Sequence, residues 1–241
     1  MKPLVFLLLI LPSRLFCQTP DSSQNGKLSL GLTFSPDYCY RILKPDAASK
    51  WMADSRDSLE TPKLGYAVGA GLTFRFHKRL SLGVGLLFSD KGYKREQTFN
   101  WVAPNGSNGT GDPAIPMKLN TNYHYYYIDV PFKLNCHILP TEAGGLCISA
   151  AVSPNIFLAQ KTISHTEYGD GHVERTVSTA SGYNKVNLSF TAGMGYQAGL
   201  SKAFSLKIEP TFRRSITSII NAPIEGYLYS FGLDMGLYYI L

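Results

Sequence analysis

The chain has 241 residues, a formal charge of +6 and a mean hydropathy of -0.05. Its charges are scattered and its aromatics lie in strand-like runs, which argues against nucleic acid as a partner. No apolar run approaches the roughly 20 residues of a membrane helix, so a helix-spanning protein is excluded. A strand-built membrane protein is not, because the polar half of each barrel strand cancels its apolar half.

The chain opens with Met1 and Lys2, continues through an apolar run from Leu4 to Leu11 and leaves it at Pro12 and Ser13. This pattern predicts a secretory signal over residues 1–17, with cleavage after Cys17 and a barrel domain over 18–241. Bulky Leu15 and Phe16 argue against lipid attachment at Cys17. Lys2 and Arg14 would leave with the signal, bringing the charge to 6 − 2 = +4. Cys39, Cys136 and Cys147 would remain, an odd and sparse set that predicts no disulfide framework.

Strict period-two alternation then recurs, the signal of strands with two different faces. It begins at Leu28, Leu30, Leu32 and Phe34, and resumes from Tyr66 to Phe76 and from Leu80 to Phe88. Further runs are Tyr126 to Leu134, Leu146 to Val152 and Val186 to Tyr196, followed by Phe204 to Phe212 and Phe231 to Leu241. These are eight strands, and the connections alternate in length. Those near His77, Leu139 and Ser201 are short, whereas those from Asp37 to Pro62, Arg95 to Thr121 and Lys161 to Asn184 are long. Short periplasmic turns opposite long outer loops are the habit of transmembrane barrels. The long connections are rich in Gly, Pro, Asn, Ser and Thr, and are expected to be mobile loops, not a second folded domain. The predicted fold is all-β: an eight-stranded antiparallel up-and-down transmembrane β-barrel in the outer membrane.

Alternation alone does not choose the inward face. A soluble periplasmic lipid-binding barrel would turn its apolar face in, so that alternative stays open. Three features favour the membrane. The strands are long enough to cross at a tilt. The polar face combines glycines with Arg75, Asp129, Lys133, Lys207, Glu209, Arg213 and Asp234, which suits a narrow lumen plugged by ion pairs. Tyrosines crowd strand ends at Tyr123, Tyr125, Tyr126, Tyr127, Tyr227, Tyr229, Tyr238 and Tyr239, as at headgroup level. Pro131 and Pro210 fall inside strands and predict a bulge or break at each.

The segment from Tyr127 to Leu134, with Asp129, Pro131 and Lys133, the first strand from Leu30 to Phe34 and the terminal strand together resemble the PorT-like outer-membrane β-barrel family of Bacteroidota. The resemblance implies an integral outer-membrane barrel, linked in some relatives to secretion or gliding machinery. It brings no catalytic residues.

Chemistry is sparse otherwise. His165, Glu167, Asp170 and His172 cluster in the third long connection, where imidazoles and carboxylates could hold a metal or form a base and its orienter. Their spacing fits no metal signature, and a solvated loop is the ordinary explanation. No cofactor-binding, phosphate-binding or nucleophile motif is present, so no cofactor, metal or catalytic residue is expected. Cys136 and Cys147 flank one turn on opposite faces, which disfavours a bridge. Arg41, Lys44, Lys94, Arg95, Lys161, Lys185 and Arg214 gather at outer strand ends and could meet lipid phosphates. The expected role is non-enzymatic, structural or protein-binding, in a monomer surrounded by outer-membrane lipid and lipopolysaccharide, with a periplasmic or outer-membrane protein as possible partner. An enzyme acting on lipid or peptide is the alternative.

Overall fold

The computed structural model describes residues 28–99, 115–141 and 144–241. The predicted signal over 1–17 and the cleavage at Cys17 therefore lie outside the described residues. The described residues are mostly strand: β1 (Leu28–Pro45), β2 (Glu60–Arg75), β3 (Leu80–Thr98), β4 (Pro116–Asp129), β5 (Phe132–Thr141), β6 (Gly144–Tyr168), β7 (Val173–Ser178), β8 (Val186–Gly199), β9 (Phe204–Ser215) and β10 (Ile224–Ile240). One helix, α1 (Lys50–Asp57), follows β1.

All pairings are antiparallel, and the sheet closes on itself. The ring runs β1, β2, β3, then β4 and β5 as two halves of one split strand, then β6, β8, β9, β10 and back to β1. Eight wall positions result, and closure leaves no free edge in the membrane. The seam between β1 and β10 keeps one register from Ser29 opposite Ile240 to Pro45 opposite Ile224, skipping only Ser35 and Pro36.

Pro131 separates β4 from β5, as a residue without an N–H must interrupt a ladder. Neighbours cover the gap: Gly85 N–H donates to Pro131 O (3.1 Å) and Val130 N–H to Pro154 O (2.9 Å). Pro210 behaves differently from expectation. β9 runs on unbroken and keeps one register on both sides, the ladder with β8 simply skipping Glu209 and Pro210.

The apolar rows face outward. Leu32, Leu64, Leu86, Met194 and Phe231 are each about 60% exposed or more, whereas Lys207 and Glu209 are 5% and 0% exposed. Leu233 and Leu237 are exposed as well. A soluble lipid-binding barrel needs the opposite arrangement, so that alternative is set aside.

The long connections hold more structure than their composition suggests. β1 continues to Pro45, and α1 occupies part of the span from Asp37 to Pro62. β6 extends to Tyr168 and returns as β7, so the stretch from Lys161 to Asn184 is largely a hairpin. In both places a two-faced strand simply carries on above the bilayer. At about 3.3 Å per residue the 25-residue β6 reaches roughly 80 Å, far beyond the 9–11 residues that a crossing needs.

Candidate functional site

From the outer mouth inward, the lumen is closed in layers. The first is aromatic. Tyr93, Tyr125, Tyr127, Ile219 and Leu228 are buried together, with Tyr40, Tyr123, Phe157 and Tyr183 packed against them. Tyr93 and Tyr123 stack at 4.6 Å between centroids, and Tyr183 meets Tyr125 edge-on at 5.2 Å. The connection between β9 and β10 supplies Ile219, pinned inward by Ile219 N–H to Gly226 O (2.9 Å) and Asn184 N–H to Ile219 O (3.0 Å). Arg41 caps the layer, its guanidinium 3.9 Å from the centre of the Tyr93 ring, and forms an ion pair with Glu60.

Two expectations are corrected here. Tyr238 turns into the lumen against Gly31 and Gly236, and Tyr125 and Tyr127, each 1% exposed, are not headgroup residues either. Tyr125 and Tyr127 share the inward register of Asp129, while Tyr126 takes the outward one. Arg41 likewise turns inward to Glu60 rather than toward lipid phosphates. Lys44, Lys94, Lys185 and Arg214 are exposed at the outer rim.

Beneath the aromatics lies a cavity of about 90 Å³. On its wall Lys91 Nζ sits 2.8 Å from Asp129 Oδ2, and Asn155 Nδ2 donates to Asp129 Oδ1 (2.5 Å).

The next layer is an ion network. Arg213 Nη1 donates to Asp37 Oδ2 (2.7 Å) and to Ser35 Oγ (3.2 Å), while Nη2 bonds Asp234. Lys133 Nζ is 3.3 Å from Asp234 Oδ2 and bonds Glu209. Lys207 Nζ lies 3.1 Å from Glu209 Oε1, an ion pair without hydrogen-bond alignment, and donates to Asn135 Oδ1 (2.8 Å). Three cations thus face three carboxylates. β5, which carries Lys133 and Asn135, stands four places from β10 in either direction round the ring. The network is therefore a strut across the lumen.

Glycines make room for the strut. A Cβ on Gly232 would come within 2.0 Å of Asp37 Oδ1, and one on Gly193 within 2.9 Å of the Glu209 side chain. Below it Tyr238 lies across the barrel, against Gly31 and Gly236.

Of the seven charged residues singled out in the sequence, Lys133, Lys207, Glu209, Arg213 and Asp234 come together. Asp129 pairs separately with Lys91, and Arg75 stands apart at the periplasmic mouth. Sequence reasoning missed Asp37 and Lys91. The signal was available: Ser35, Asp37 and Cys39 continue the inward set of Ser29, Gly31 and Thr33, and Lys91 continues that of Ser81 and Ser89.

His165, Glu167, Asp170 and His172 do not assemble. His165 and Glu167 lie on β6, opposite Arg175 and Val173. Asp170 Oδ1 accepts from the His172 backbone N–H (2.9 Å), an ordinary turn bond. Among the described residues no group of three or more His, Cys, Asp or Glu is placed to hold a metal. Cys39, Cys136 and Cys147 are free thiols. His137, not Cys136, stands opposite Cys147.

A second buried ion cluster sits in the wall near the outer rim. Lys63 Nζ is 2.8 Å from Asp90 Oδ1, and His124 Nδ1 is 2.9 Å from Asp90 Oδ2, the imidazole stacking on Tyr126. Just above, Tyr40 Oη donates to Asp57 of α1 (3.2 Å) and to Glu60 O (3.2 Å). Burial, then the charge of Asp57, pushes the Tyr40 hydroxyl up to about 12.

No curated protein matches the chain in sequence. Among solved structures it is similar to Neisserial surface protein A, at 8% identity over 88% of this chain and 96% of that one, TM-score 0.43. It is also similar to the outer membrane protease OmpT of Escherichia coli, at 8% identity over 92% and 98%, TM-score 0.39. A third is OprG of Pseudomonas aeruginosa, at 11% identity over 90% and 96%, TM-score 0.36. The sequence model of the outer membrane protein beta-barrel domain matches residues 18–221. With that match over most of its length and a closed ring whose oily rows point outward, the chain belongs to the outer membrane protein beta-barrel domain family.

Proposed function

We propose that this protein is a closed, non-enzymatic barrel that carries a recognition surface above the outer membrane for a protein partner. The observation that supports it is the filled lumen beneath an extended outer sheet. Aromatics, ion pairs and Tyr238 lie one below another across the narrow bore of eight strands. Strands meanwhile continue well past the bilayer in β3, β4, β6 and β7. β7 is exposed along its whole length and, among the described residues, pairs with β6 alone, so it offers a free edge of the kind that extended segments dock on.

Lys44, Lys94, Lys185 and Arg214 suit the phosphates of lipopolysaccharide, and the closed ring suits a monomer. The segment from Tyr127 to Leu134 supports a finer placement among PorT-like barrels of Bacteroidota. Photo-cross-linking in intact cells tests the recognition role. A reactive residue at Thr176 should yield a discrete protein adduct, and one at lipid-facing Leu237 should yield none. Absence of an adduct at every position of 173–178 contradicts the proposal.

A further inference from the structure

The periplasmic mouth holds a site that the lumen strut does not use. Below Tyr238 a vestibule of about 40 Å³ is lined by Ser29, Thr73, Arg75, Ser81, Asn135, Gln197, Ser205 and Lys207, closed by Tyr238 and Ile240. Two of these residues are cations, none is a carboxylate, and most of the rest are hydrogen-bonding groups. Lys207 is anchored to Glu209 and Asn135. Among the described residues the Arg75 guanidinium has no ion pair and no hydrogen bond, unlike Arg41 and Arg213, each of which meets a carboxylate.

A half-buried guanidinium with no carboxylate beside it leaves its five donors open to an anion that enters from the mouth. A second polar atom at this mouth is also unpaired. His137 Nε2 meets Gln197 Oε1 (3.1 Å), on the vestibule wall, while His137 Nδ1 is buried without a partner.

We infer that the vestibule is a binding site for a small oxyanion, a phosphate or carboxylate group entering from the periplasm, gripped by the planar fork of Arg75 with Lys207 supplying the second positive charge. A guanidinium fork matches the paired oxygens of either group, which a halide cannot offer. Ser81, Ser205 and Gln197 supply further polar contacts, and the volume limits the occupant to one such group.

The experiment is titration calorimetry on the full-length protein in detergent micelles, with inorganic phosphate or acetate added against chloride at matched ionic strength. Saturable heat with phosphate, with acetate competing for it, is expected. Arg75→Gln should weaken binding at least tenfold, Arg75→Lys should fall between, and Lys50→Gln on α1, remote from the vestibule, should bind as wild type. Ser205→Asp, which places a carboxylate in the vestibule, should abolish binding without removing Arg75. Heat that never saturates in wild type, or binding unchanged in both Arg75→Gln and Ser205→Asp, overturns the inference.

Discussion

Glu209 shows at the residue scale what a filled lumen demands. It is fully buried, and each of its oxygens faces a lysine. Removing one member of a buried ion cluster leaves the others uncompensated, which costs about 3–5 kcal/mol. Glu209→Gln should accordingly lower the temperature at which the compact electrophoretic form is lost, and a variant as heat-resistant as wild type would contradict the strut. Gly232→Ala tests the same strut by volume, because its Cβ would displace Asp37 or Arg213. Gly199→Ala, with open space around its Cβ, should leave that temperature unchanged. Asp90→Asn should be costly as well, since it strands Lys63, which is 2% exposed. Most strut members were legible in the sequence because they sit on the glycine face of alternating runs. Asp37 continues that alternation too, but Pro36 and the polar residues beyond it resemble a loop, and the pairing with β10 is what shows that the ladder goes on.

At the scale of elements, alternation identified every wall strand and misjudged where each one ends. A strand above the bilayer loses its lipid-facing apolar row, so its period-two signal fades while its hydrogen bonds persist, as in β6 from Lys161 to Tyr168. α1 was unreadable for a related reason: it is one short turn pair burying only Ala53, too little for a helical periodicity. Tyr40 ties that helix to the wall. Tyr40→Phe should weaken its docking by about 0.5–1 kcal/mol, and so raise tryptic cleavage at Lys50 and Arg56 roughly two- to fivefold. In wild type the protection should hold up to pH 10 and fall as the pH climbs toward 12. The folded form holds the Tyr40 proton more tightly than the unfolded chain does, so its contribution is lost across that window. Equal cleavage of both proteins at neutral pH would sink the assignment.

For the whole molecule, eight strands set the bore and the bore sets the chemistry. A ring of this size has room for side chains and little else. The inward residues therefore had to be glycines, tyrosines and paired charges, and the outward ones apolar. That division was written plainly in the sequence, whereas the choice of tyrosines for the outer plug depended on register at a single residue, Tyr125 against Tyr126. Single-channel recording of the purified protein in planar bilayers measures the closed lumen most directly. Insertion without discrete conductance steps is the outcome predicted here, in wild type and at either polarity. Stable, reproducible open-channel steps would contradict it.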